Sequence, residues 1–254
     1  MEYFVKNDSI VRKIWGNADT IMFIFAGAAA EFAVNKAVDW LYFTGRLPAD
    51  PLGRLFSTVA YTREIVFADL EKANKAIDTI TSIHRGIEKS REMQIPDWAY
   101  RDVLFMLIDY SIRSFEALER KLTAAEKAEV FDVFYRVGER MQLKGLPLGY
   151  LQWVQMREEH LQKDLAVSKY TMDLFKQYKK HLGVIRYFIL KQVQALLAPP
   201  KINALLKLGN AVLLTPILKG YKLLRLIHLE NIVKEAILPG QYKAQIKDLN
   251  VWHA

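Results

Sequence analysis

Five histidines, at positions 84, 160, 181, 228 and 253, are the strongest ligating side chains in a chain of 254 residues that contains no cysteine. Without a thiol there is no disulfide, no thiolate nucleophile, no Cys-ligated zinc or iron–sulfur cluster, and no C-x-x-C-H haem attachment. Chemistry must come from His, carboxylates, Arg and Lys, hydroxyls or a cofactor held without a covalent bond. The residues three before the histidines are Thr81, Arg157, Tyr178, Arg225 and Asn250, so the Glu-x-x-His pairs of a di-iron bundle are missing. Neither H-E-x-x-H, G-x-S-x-G, a phosphate-binding G-x-x-x-x-G-K-[ST] nor G-x-G-x-x-G occurs. An Asp-Asp pair of the kind that holds magnesium in helical isoprenoid synthases is also missing.

His84 stands out by its position. It lies four residues after Ile80 and three before Ile87, on an apolar helical stripe. Such a histidine is either a core residue satisfied by a carbonyl or a ligand. Gly86, two residues on, would let a backbone or a flat ligand come close to the helix. Arg54 and Thr58 are spaced i, i+4 and share a helix face; the guanidinium suits either a surface ion pair or an anionic ligand group. Glu31 sits in an apolar run, where a carboxylate needs a partner, and a buried pair with Lys or Arg would supply one.

The elements that position these residues read as helices almost throughout. Asn17 offers a cap to an apolar helix that includes Thr20–Ala30. That run is about half the length of roughly 20 residues that a membrane span needs, so it reads as a buried helix. Thr44–Pro51 is a loop with one Gly and two Pro. Helical spacing resumes through Leu55, Val59, Thr62 and Val66, and again through Ala73, Ile77, Ile80, His84 and Ile87. Ile95-Pro96-Asp97 opens another helix. Thr123 with Glu126 forms a capping box for a helix running to about Leu143. After the loop Lys144–Pro147, one long tract is expected from about Leu151 to Leu197, stopped by Pro199-Pro200. No period-2 alternation and no repeat is present. The expectation is an all-α, single-domain multi-helix bundle over residues 1–254.

The net charge is +8, and residues 201–254 carry eight Lys/Arg against three acids. These cations alternate with Leu and Ile, which fits an amphipathic helix on a membrane surface or packed on the core, and not a nucleic-acid reader. The tail 199–254 is therefore expected to be a basic amphipathic segment packed on the bundle. With no secretory signal in MEYFVKNDSIVRK, the expected location is cytoplasmic, either free or peripheral on a membrane. The sequence leaves the oligomeric state open.

The segment Asp50-Pro51-Leu52-Gly53-Arg54, with Ser57-Thr58, Tyr61, Val66-Phe67, Lys72-Ala73 and Ile83-His84-Arg85-Gly86, resembles the haem oxygenase family of the MpaB-type oxygenases and the rubber oxygenases (latex-clearing proteins). The resemblance covers about residues 20–165, with the segments Leu122–Glu126 and Gly145–Pro147 also in place. It implies a pocket for haem b in the bundle and His84 as the proximal ligand of its iron. Arg54, Ser57, Thr58 and Gly86 would lie beside the cofactor. It further implies an oxygenase acting on an apolar isoprenoid, alkene or lipid-like substrate with dioxygen or a peroxide. A general base is expected, with Glu31 and Asp39 as candidates. Two departures are visible. Latex-clearing proteins have a Lys where this chain has Ser57, which implies an iron that is open or water-bound at rest. Many relatives have a His-Pro pair where this chain has Asn35-Lys36. A non-catalytic haem sensor or carrier of the same fold, and a cofactor-free peripheral membrane protein, are the competing expectations.

Overall fold

The computed structural model describes residues 2–43, 45, 49–212, 214, 216–218, 220, 221 and 249, with the side chains of Leu41, Arg54 and Leu55 excepted. Ten helices are formed among them: α1 (Ile10–Trp15), α2 (Ala18–Val34), α3 (Val38–Phe43), α4 (Pro51–Phe67), α5 (Leu70–Arg91), α6 (Asp97–Leu118), α7 (Ala124–Arg140), α8 (Tyr150–Lys163), α9 (Lys169–Leu197) and α10 (Pro200–Leu206). The described residues form no sheet; two isolated β-bridges, Tyr3 with Asp69 and Asn35 with Leu165, tie loops together.

The helix starts are written in local chemistry. The Asn17 side chain accepts hydrogen bonds from the backbone N–H groups of Asp19 and Thr20, and Asp50 accepts from Gly53 with Pro51 in the first turn. Thr123 and Glu126 close a reciprocal capping box at 2.8 and 3.2 Å. The α7 helix ends at Arg140, close to the expected limit.

Helix α2 is the axis of the bundle. It is buried on nearly all sides and contacts α1, α3, α6, α9 and α10. Its small residues, Ala26 to Ala30 with Ala33, let several helices approach at once, which a helix of larger side chains would prevent. Gly27 shows this most directly. A Cβ there would stand 2.3 Å from the Tyr110 ring of α6, so the aromatic ring rests against bare backbone.

The long tract expected from Leu151 to Leu197 is two helices. The chain leaves α8 at Asp164, Leu165 bridges back to Asn35, and Ser168 with Thr171 forms a second capping box that starts α9. Within α9 the helix is broken again at Gly183, whose φ of 73° lies in the left-handed region that favours glycine. Pro200 opens α10, as the Pro pair suggested. Most of the basic tail from 222 onward lies outside the described residues, as does much of the loop 44–48. No helix among the described residues is long and apolar enough to cross a membrane.

Candidate functional site

Two places in the bundle gather chemistry: a buried ionic network around Glu31, and the face of α5 that carries His84.

Glu31 is fully buried in α2 and is held by Arg157 of α8 through two parallel bonds of 2.5 and 2.6 Å. Arg157 also donates to Asp109 of α6 from Nε (3.1 Å) and Nη2 (2.9 Å), and Asp109 accepts from Arg113 at 2.7 Å. One turn beyond Arg157 on α8, His160 places Nε2 3.1 Å from Glu31, and Nδ1 2.7 Å from Asp102 and 3.3 Å from Asp164. Asn35 completes the cluster with a 3.4 Å bond to Asp102. Helical spacing explains the convergence. Arg157 and His160 are three apart and Asp102 and Asp109 are seven apart, so each pair presents one face to α2.

The energetics follow from burial. Desolvation alone would raise the Glu31 carboxyl, but Arg157 and His160 outweigh it and hold it down to about 2. Burial would lower His160, yet Asp102 and Glu31 push it up to about 9. Burial also lifts the Asp102 carboxyl, despite its contact with His160. The donor atoms of Asp102, His160 and Asp164 lie within 4.8 Å of one another, a spacing that could hold a metal ion. Here both ring nitrogens of His160 face carboxylate oxygens, so the imidazolium protons themselves serve as the cation that joins these groups.

A pH dependence results. His160 binds its proton more tightly in the folded chain than in the unfolded one, where its pKa is about 6.5. Its contribution is complete below that value and is lost as pH rises through about 9. Glu31 acts in the opposite sense: its contribution is present above about 4.3 and is lost as pH falls toward about 2. The raised Asp102 partly offsets Glu31 on the acid side. Urea midpoints are therefore expected to peak between about pH 5 and 6.5 and to fall through pH 9. The alkaline fall should disappear in His160→Gln; a wild-type midpoint that stays flat across this range would refute the assignment.

The second place is the stripe Ala73, Ile77, Ile80, His84, Ile87 and Arg91 of α5. Its first half is core: Ala73 and Ile77 are fully buried. From Ile80 onward the stripe emerges, with Ile80, His84 and Ile87 half-buried and neighbouring Ile83 exposed. The His84 ring is braced by Tyr100 of α6 in an edge contact, centroids 5.2 Å apart, and the Tyr100 hydroxyl donates to Glu88 at 3.1 Å. Two turns along the same face Arg91 donates to Asp39 of α3 at 2.6 Å and lies over the Trp40 ring at 3.9 Å and that of Phe43 at 5.3 Å. Helix α4, which carries the half-buried Ser57 and Thr58, packs against α5. The Arg54 side chain lies outside the described residues. Nothing comes within 4 Å of a Cβ added at Gly86, which leaves that turn of α5 open rather than closely packed.

Of the expected site residues, the structure ties Asp39 to Arg91, two turns beyond His84 on α5, and it places Glu31 in the other cluster, as an ion pair. Sequence reading missed Arg157, His160, Asp102 and Asp109. Their only local signal was the presence of charged residues at apolar-stripe positions of α6 and α8. The residues around His84 fit a haem: an imidazole on a helix, an apolar face of Ile80, Ile83 and Ile87 left partly uncovered, and open space at Gly86.

Comparison with known proteins identifies the family. Residues 12–221 match the family model described as the ER-bound oxygenase mpaB/B′/rubber oxygenase, catalytic domain, a longer stretch than the motifs alone cover. No curated protein matches the chain.

Proposed function

Because the chain belongs to the mpaB/rubber oxygenase catalytic-domain family, we propose that it is a haem b-dependent oxygenase acting on an apolar isoprenoid, alkene or lipid-like molecule, with His84 as the proximal ligand. The observation that carries this reading is the contrast between two histidines. His160 faces carboxylates on both ring nitrogens, whereas His84 stands on an apolar face that emerges from the core.

When bound, the haem supplies an iron able to activate dioxygen or a peroxide. The chain's own residues supply the rest. Ile80, Ile83 and Ile87 offer an apolar surface beside the imidazole, and Tyr100 braces the ring. Arg54, with Thr58 on its helix face, matches a carboxylate of the cofactor in charge. Ser57 is a neutral hydroxyl where latex-clearing proteins carry an ammonium, so no lysine from this position would compete with a small molecule for the cofactor. Of the two expected bases Asp39 is the better placed: it is paired with Arg91 but partly exposed, whereas Glu31 is sealed from water between Arg157 and His160.

Reconstitution with haemin and a visible spectrum test the ligand: a Soret band is expected in the wild type and not in His84→Ala. Asp39→Asn should keep the band and lower oxygen consumption on unsaturated lipids by about 100-fold or more; unchanged turnover would remove Asp39 from the mechanism. A second reading, a haem sensor or carrier, draws on Ser57 and on Asn35, which occupies the place of a relative's His-Pro pair and is committed to Asp102. A Soret band without turnover on any unsaturated substrate would favour it.

A further inference from the structure

We propose that the outer face of α9 docks on an anionic lipid surface, around the break at Gly183. The helix contains six cationic residues, Lys169, Lys176, Lys179, Lys180, Arg186 and Lys191, against one acid, Asp173. That acid is engaged by Tyr42 and Gln177. Lys176, Lys179 and Lys180 are exposed. Immediately after Gly183 the chain exposes Val184 (72%), Ile185 (77%) and Phe188 (49%), and Met172 (69%) lies a turn before Lys176. Cations flanking bare aliphatic and aromatic side chains are the composition that lies in a headgroup layer: ammonium groups meet lipid phosphates while the apolar tips enter the acyl boundary. Water gains nothing from Ile185 and Val184 side by side at such exposure, and the break at Gly183 sets them on a turn that regular helix does not continue.

Charge complementarity selects this occupant. Another exposed apolar group among the described residues, Leu148, Leu151 and Val154, is followed on α8 by exposed Glu158 and Glu159, which anionic lipids repel. The α9 face has no comparable acid. A lipid surface is also where an apolar substrate dissolves, so docking there would shorten its path. The docking residues are all on α9 and His84 is on α5, so vesicle binding and the Soret band are read on different side chains.

Flotation of the full-length protein with phosphatidylglycerol/phosphatidylcholine vesicles, and with phosphatidylcholine alone, tests it. Binding is expected on the anionic vesicles and should weaken with salt. Each lysine near the surface is worth about five-fold in partition, so Lys176→Gln, Lys179→Gln and Lys180→Gln together should lower binding roughly 100-fold. Val184→Ser, Ile185→Ser and Phe188→Ser together should lower it by at least about 10-fold. Circular dichroism should be unaltered in both, because the changed positions are exposed. Equal binding by wild type and both variants would assign any lipid affinity to another segment and overturn the proposal. So would a wild-type dimer that Ile185→Ser turns into a monomer, since that face would then be an interface between copies.

Discussion

Replacing Arg157 with leucine should lower the unfolding free energy by about 3–5 kcal/mol, the largest single-residue loss expected in this protein. The guanidinium is buried and satisfies Glu31 with two bonds and Asp109 with two more. Its removal leaves Glu31, wholly out of water, with His160 as its remaining partner, and Asp109 with Arg113, and a buried carboxylate that loses its main counter-charge costs more than the pair ever contributed. Arg157→Lys should recover only part of the loss, because an ammonium cannot present the planar fork that meets Glu31 through both oxygens. Removing both members, as in Glu31→Leu with Arg157→Leu, should cost less than the sum of the single changes. Urea unfolding followed by circular dichroism measures all four. A loss below about 1 kcal/mol in Arg157→Leu, the range of an exposed ion pair, would show that the network carries no such weight.

His84→Ala should do the reverse: leave the apoprotein's stability nearly unchanged and abolish haem binding, with affinity for haemin falling at least about 100-fold. His84 is half-buried and stands against the edge of the Tyr100 ring, so truncation opens no sealed cavity. The iron, by contrast, would lose its protein donor. Imidazole added to the variant should restore a Soret band if the pocket remains intact, which separates a missing ligand from a damaged fold. His160→Ala offers the opposite control, with weakened folding and an intact haem spectrum at a temperature where the chain stays folded. A Soret band in His84→Ala equal to that of the wild type would dismiss the proximal assignment.

These two expectations fall on histidines that look alike in the sequence. Both lie on helices, and neither belongs to a recognised metal-ligand spacing. The motif order from Asp50 to Gly86 distinguished His84 by resemblance; the family match over residues 12–221 bears out the resemblance and spans both histidines. Nothing local distinguished His160. Glu31 was legible as an anomaly, a carboxylate within an apolar run, with a buried ion pair as one of its readings. Its partner could not be named, because Arg157 lies 126 residues away. The interruption between α8 and α9 was present in the sequence as Ser168 and Thr171, but the apolar spacing on both sides concealed it. Asp39 had no partner in sight until α3 and the end of α5 were brought together at Arg91.

The absence of cysteine limited the available chemistry from the outset: any haem here must be non-covalent and cannot take a thiolate. The +8 charge was read from the tail, yet the exposed lysines that the structure describes lie also on α9. The amino-acid order by itself determined the helices, their caps and which residues share a face, because capping and 3.6-residue periodicity act within a few turns of chain. The tertiary structure decided which faces meet. Small residues on α2 admit α6 and α9 closely, which brings α8's Arg157 and His160 onto Glu31, and the His84 stripe leaves the core halfway along α5. Burial turns the first set into an ion network that stabilises the fold. Emergence from the core leaves the second half-exposed at the surface of the bundle. Periodicity cannot tell these outcomes apart, because it records the phase of a helix and not the company that helix keeps.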